Sequence, residues 1–192
     1  MLTLYLAPGS SSMAVHIALH EIGVPFEAKP MSFKRGDLQA PDYLKLNPEG
    51  KVPTLLVDGK PLTEVAAILF YLARRFPGAK LLPRDDPEAE AQAISWMSFI
   101  AATLHPARRR GLDYAREVYG IADRRLGAGW ALGDYSIADI HLFRLYWRLF
   151  NSLHPAPGEF ANLDAHYGRM IARPAVKKTI EVEAAMGYEL PA

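Results

Sequence analysis

TLYLAPGSSSMAVHIALHEIG, residues 3–23, is the stretch whose reading decides the fold. Thr3 to Ala7 is a short apolar run of strand length, and Pro8-Gly9 ends it. Ser10-Ser11-Ser12 then stands ahead of Met13, Val15, Ile17, Ala18, Leu19 and Ile22, which recur at helical spacing until Gly23 stops them. Serine before a helix and glycine after it are the residues that satisfy its open ends. The stretch therefore predicts a buried strand, a tight turn and a helix.

Working outward, a second strand is expected near Phe26 to Met31, then a polar loop and a short helix around Leu38 to Leu46. Asn47-Pro48-Glu49-Gly50 is a turn by composition. Val52 to Val57, then Asp58-Gly59, then Lys60-Pro61-Leu62 predicts a hairpin with a tight Asp-Gly turn. Thr63 stands where it would cap a helix from Glu64 to Phe76. This β-α-β-α-β-β-α order describes a small mixed sheet with helices packed on it. The expected division is a first domain over residues 1–78, a Pro- and Gly-bearing linker over 79–87, and an all-helical domain over 88–192. Helices are expected at Glu88 to Leu104, Tyr114 to Leu126, Ser136 to Phe150, Phe160 to Ile171 and Ala175 to Ala185. The third of these is apolar around nearly its whole circumference, as suits the centre of a bundle. Ser136-Ile137-Ala138-Asp139 opens it with a capping pattern, flanked by Tyr135 and Ile140 as a hydrophobic staple.

The 192-residue chain is 50% hydrophobic and 22% charged, with a formal net charge of +1. The two parts balance separately, with 8 basic and 7 acidic residues through Gly78 and 14 of each beyond it. Neither part carries the positive field of a nucleic-acid binder. No apolar run reaches the length of a membrane span. Cysteine is absent, which excludes disulfides, Cys-ligated zinc, a CxxC redox pair and a cysteine nucleophile. That is compatible with a cytoplasmic setting. His16 and His20 lie four apart on one helix face but lack a companion ligand, so no metal site is expected and packing is the simpler role. The arginines at 108–110, 116, 124 and 125 are expected on a solvated face paired with Asp113, Glu117 and Asp123.

PGSSSMAVHIAL, NPEGKVPTLLVDG, LTEVAAILFYLARRF and GDYSIADIHLF, in that order, resemble a bacterial glutathione S-transferase. ATLHPA after a Trp-bearing helix points to the beta class. The resemblance spans nearly the whole chain. It implies a thioredoxin-like first domain that binds glutathione and an all-α domain that receives a small hydrophobic electrophile. It further implies a homodimer, glutathione as co-substrate and no tightly bound cofactor. The implied reaction is transfer to the glutathione sulfur; other glutathione-dependent chemistry (isomerisation, dehalogenation, peroxide reduction) and a non-catalytic scaffold remain alternatives, because fold does not dictate reaction.

The resemblance also assigns candidates. A free thiol has a pKa of roughly 8.5, so the enzyme must stabilise the thiolate, at about 1.4 kcal/mol per unit of lowering. A hydroxyl, the free N–H groups and the dipole of a helix N-terminus all favour an anion. Ser11 takes the position where beta-class relatives carry cysteine, which excludes a mixed disulfide there and leaves a hydroxyl as donor. Ser12 is the next candidate, and Ser10 a binding residue; capping the helix is the alternative role of all three. Val52-Pro53 is expected to be cis, with the Val52 backbone offered to the cysteinyl unit of glutathione. Glu64 and the Val65 N–H are expected at its γ-glutamyl end, although Val65 stands where many relatives have serine. Lys51, and with it Lys34, is a candidate for the glycyl carboxylate. His105 would donate to glutathione or polarise the thiol, with a structural or dipole-compensating role at its helix C-terminus as the alternative, and Ser98, seven residues earlier, would share its face in the second-substrate pocket.

Overall fold

The computed structural model describes residues 1–189. It opens with β1 (Leu2–Leu6) and α1 (Ser12–Ile22), as the decisive stretch requires. Gly23 closes α1 in the left-handed region, with φ 74°, where its N–H reaches the Leu19 carbonyl. β2 (Glu27–Pro30), α2 (Pro41–Leu46), β3 (Thr54–Val57), β4 (Lys60–Thr63) and α3 (Val65–Arg75) follow. The strands lie in the order β2-β1-β3-β4, with β1 parallel to β2 and antiparallel to β3. The hairpin register pairs Thr54 with Thr63 and Val57 with Lys60, so Asp58-Gly59 turns as expected. Leu4, Leu6, Met13, Ile17, Leu19, Leu55, Ile68 and Leu72 are fully buried. Each such side chain contributes about 2 kcal/mol of transfer free energy.

Two expectations are corrected here. Thr63 does not cap α3: it ends β4, and the residue at the helix start is Glu64, with φ 68°, ψ 121° and no side-chain cap. The domain division also differs. Contacts separate residues 1–76, together with the chain from Pro174 onward, from a second unit, Pro77–Arg173. The last helix, α8 (Pro174–Met186), therefore leaves the expected 88–192 domain and packs on α1. Thr179 and Glu183, one turn apart and both fully buried, bond His20 and His16 of α1 at 2.8 and 2.9 Å. Their face of α8 carries the polar groups that α1 needs.

The second unit contains α4 (Pro87–Phe99), α5 (Leu112–Leu126), α6 (Ile137–Leu153) and α7 (Ala161–Ala172). Asp86 caps α4 by accepting from the Ala89 N–H at 2.9 Å. Ile100–Leu104 continues α4 as a π-helical turn. α6 is buried along most of its length, with Leu142, Phe143, Tyr146 and Leu149 in the core beside Trp96, Ile100, Tyr119, Phe160 and Leu163. Its capping box is complete: Asp139, with no exposed surface, accepts from the Ser136 N–H at 2.9 Å, and Ser136 Oγ accepts from Ala138. Asp139 also takes the Ala131 N–H at 2.8 Å and lies 3.1 Å from His166 Nε2. The expected arginine pairing with Asp113, Glu117 and Asp123 is not found among the described residues: Arg116 bonds Glu159 at 2.9 Å, and Asp123 accepts from the Leu163 N–H and ties α5 to α7. No helix among the described residues is long and apolar enough to cross a membrane.

Candidate active site

Strand register brings four segments to one end of the sheet. Leu6 pairs with Pro30, Tyr5 with Thr54, and Thr54 with Thr63. The turn after β1 (Pro8–Ser11), the turn after β2, the residues before β3 (Lys51–Pro53) and the start of α3 (Glu64, Val65) therefore share that edge. Every first-domain candidate of the sequence reading lies on one of them, except Ser12, which opens α1 directly after the first.

The three serines divide by environment. Ser12 has no exposed surface, and its hydroxyl sits 3.1 Å from both the Ala7 N–H, from which it accepts, and the Ala7 carbonyl. Ser10 is 8% exposed and lies 2.8 Å from that same hydroxyl. These two hold the turn after β1 closed. Ser11 is half-buried, and among the described residues nothing bonds its hydroxyl. One expectation fails: the N–H groups of the first turn of α1 are not open to an anion. Ser10 Oγ takes the Ser12 N–H, while the Ser10 and Ser11 carbonyls take those of Met13 and Ala14. The turn geometry consumes those three, leaving among the described residues the N–H and hydroxyl of Ser11 and the helix dipole.

Glu183 supports this turn from α8. Its carboxylate accepts the Gly9 N–H at 2.6 Å and meets His16 Nδ1 at 2.9 Å, all in the interior. Gly9 has φ 72°, a conformation that glycine adopts freely. His16 and His20 thus pack, with ring centres 4.6 Å apart, and each presents Nδ1 to a residue of α8. Burial, with the charges of His16 and Lys178, pushes the pKa of His20 down to about 4.

The Val52-Pro53 bond is cis. Among the described residues, neither the N–H nor the C=O of Val52 has a hydrogen-bond partner. The loop holding them is braced by residues the sequence reading passed over. Asn47 Nδ2 donates to the Lys51 carbonyl at 2.7 Å, and the Tyr43 hydroxyl donates to the same oxygen. Thr54 Oγ1 lies 2.9 Å from the Tyr43 hydroxyl and accepts from Asn47. Polar residues spaced Tyr43-Asn47-Thr54 around a turn were the available signal. Lys51 is exposed and bonds Glu49 at 2.6 Å, and Lys34 is exposed on the turn after β2.

Glu64 is exposed, and its positive φ is rare for a residue with a side chain. No described residue caps α3, so the first N–H groups of that helix, Val65 included, point out of an open end. The sheet edge therefore presents a hydroxyl, an extended backbone pair, a carboxylate and an uncapped helix terminus.

Ser98 and His105 belong to the second unit, and both are exposed. They do not share a face by α-helical spacing. The His105 N–H bonds the Ile100 carbonyl at 2.8 Å, an i→i+5 step, and the wider π turn shifts His105 around the axis. His105 lies near His141, which is fully buried and whose Nδ1 has no partner among the described residues; burial first, then His105 and Arg144, pushes its pKa down to about 3.

Residues 1–74 match the model described as glutathione S-transferase, N-terminal domain. The chain is 33% identical to glutathione S-transferase GST-4.5 of Xanthomonas campestris, over 94% of this chain and 98% of that one. A glutathione transferase homologue from Sulfitobacter, solved with bound glutathione, superposes with a TM-score of 0.83 at 33% identity, covering 95% of this chain and 98% of that chain. The bacterial beta-class glutathione S-transferase of Sphingomonas chungbukensis gives a TM-score of 0.79 at 34% identity, covering 94% and 98%.

Proposed function

The chain belongs to the glutathione S-transferase family, and on that premise we propose that it binds glutathione at the sheet edge and transfers the tripeptide's sulfur to small hydrophobic electrophiles. The observation that carries this is the unbonded Ser11 hydroxyl in a turn where Ser10 and Ser12 are committed to structure. The Val52 backbone pairs with the cysteinyl unit in the manner of an added strand. Glu64 meets the γ-glutamyl amine, and the open end of α3, with the Val65 N–H, takes the γ-glutamyl carboxylate. Lys51 serves the glycyl end.

Ser11 then donates to the sulfur. A charge-assisted hydrogen bond of this kind contributes about 1.5–3 kcal/mol. That corresponds to one or two pKa units of thiol acidity. The thiol proton leaves to water on binding, and the thiolate lone pair forms the new C–S bond as the leaving group departs with its electrons. Contacts of Ser98 and His105 with the electrophile, the homodimer and a cytoplasmic setting belong to the same proposal. The test is conjugation of glutathione to an activated aryl chloride, alongside calorimetric binding. Ser11→Ala is expected to lower kcat/KM about ten- to a hundredfold, with Kd changed less than about threefold. An unaltered kcat/KM assigns the sulfur contact elsewhere.

A further inference from the structure

The turn after β2 holds a carboxylate that belongs to the chain itself. Ser32 Oγ lies 2.8 and 2.9 Å from the two carboxylate oxygens of Glu189, and the Lys34 N–H donates to one of them at 3.1 Å. The Phe33 N–H also points to this carboxylate. These donors are fixed by bonds that do not involve Glu189. Asp37 Oδ2 accepts the Ser32 N–H at 2.8 Å and the Arg35 guanidinium at 2.7 Å, while Ser32 Oγ accepts the Arg35 N–H at 3.0 Å. Ser32 is only 4% exposed. A preformed hydroxyl and successive N–H groups make a concave seat for an anion.

The seat adjoins the proposed site. The Met31 N–H bonds the Leu6 carbonyl at 2.7 Å, carrying the β1–β2 pairing up to Ser32 and setting this turn beside the one that bears Ser11. Glu189 arrives on the segment that follows α8, the helix whose Glu183 grips Gly9. One element thus reaches two adjacent loops of the same edge.

We propose that the Ser32–Lys34 turn is a carboxylate seat at the rim of the glutathione site, which Glu189 occupies in this structure and which a carboxylate-bearing ligand takes by displacing it. This rests on the glutathione reading and names the glycyl carboxylate as the group that exchanges. Glu189 is then an internal competitor: the apparent affinity is the intrinsic one multiplied by the fraction of molecules with the seat empty. The hydrogen bonds from Lys34 and Ser32 hold the Glu189 carboxyl below its usual pKa, in keeping with an occupied seat.

The test is calorimetry with S-methylglutathione, whose blocked sulfur separates this effect from thiolate formation, and with its glycine carboxamide. Glu189→Ala is expected to bind S-methylglutathione about three- to tenfold more tightly than the unaltered chain, with Glu189→Gln intermediate. The gain shrinks with the carboxamide, whose oxygen is a weaker acceptor for the same donors. Ser32→Ala weakens binding of the acid more than of the amide. Glu181→Gln, which removes an exposed charge from α8 away from the seat, leaves both affinities unchanged. Unchanged or weaker binding by both Glu189 variants overturns the proposal, as does an equal gain for acid and amide, which reduces the effect to net charge. If no protein binds either compound, the glutathione reading falls and takes this inference with it; binding without a Glu189 effect removes the inference alone.

Discussion

Replacing Glu183 with alanine removes a buried acceptor on which two parts of the first unit depend. In the native structure the carboxylate takes the Gly9 N–H at 2.6 Å and contacts His16 Nδ1 at 2.9 Å, and both Glu183 and His16 are essentially without exposed surface. Truncation leaves an N–H and an imidazole in the interior with a void between them. Each unsatisfied group costs about 1–3 kcal/mol, and removing one partner of a buried polar pair costs about 3–5 kcal/mol in total. For a chain of this size that lowers Tm by about 6–20 °C. Glu183→Gln keeps the shape and one acceptor, and should lose about half as much. Urea denaturation followed by far-ultraviolet circular dichroism gives the free energies. A cycle with His16→Ala should show coupling of at least about 1 kcal/mol. A loss below about 1 kcal/mol for Glu183→Ala, or strict additivity with His16→Ala, would refute the claim that this carboxylate locks α8 to the Ser11 turn.

Ser12→Ala should cost about 1–2 kcal/mol of stability, because its enclosed hydroxyl serves Ala7 and Ser10, whereas Ser11→Ala should change stability by less than about 0.5 kcal/mol; chemical denaturation of the two variants separates structure from chemistry. Glu64→Ala should raise the glutathione Kd about tenfold, read by calorimetry, and an unchanged Kd removes Glu64 from the site. Stability should fall as pH drops from about 6.5 toward 4, since His20 has its folded pKa lowered to about 4 and the unfolded chain binds the proton first. The ring is only half-buried, so solvent screening reduces this contribution to on the order of 1 kcal/mol. His20→Gln should flatten the slope of denaturation free energy against pH in that window.

The elements were legible where local chemistry is self-sufficient. Pro8-Gly9, the serines and Gly23 mark the ends of β1 and α1, Asp58-Gly59 marks the hairpin, and Ser136 with Asp139 marks the start of α6. What local chemistry does not determine is which surface a face meets. The pattern of α8 shows a helix, but burial of Thr179 and Glu183 becomes intelligible only once His16 and His20 of α1 lie opposite. Helical spacing likewise assumed a uniform α-helix between Ser98 and His105, and the π turn at Ile100–Leu104 breaks that assumption. At the sheet edge, the run of serines named the position without distinguishing its members. The distinction came from the turn, which folds Ser10 and Ser12 inward against Ala7 and leaves Ser11 unbonded. Tyr43, Asn47 and Thr54 escaped notice because a polar brace around a loop has no periodic signature.

The most direct test is an ultraviolet difference titration of the protein–glutathione complex against pH, run on the unaltered chain and on Ser11→Ala. The account predicts that the bound thiol ionises about one to two units below the roughly 8.5 of an ordinary thiol, and that the variant gives back at least about one of those units while still binding the tripeptide. A bound thiol that titrates at the same pH with and without the Ser11 hydroxyl would contradict it.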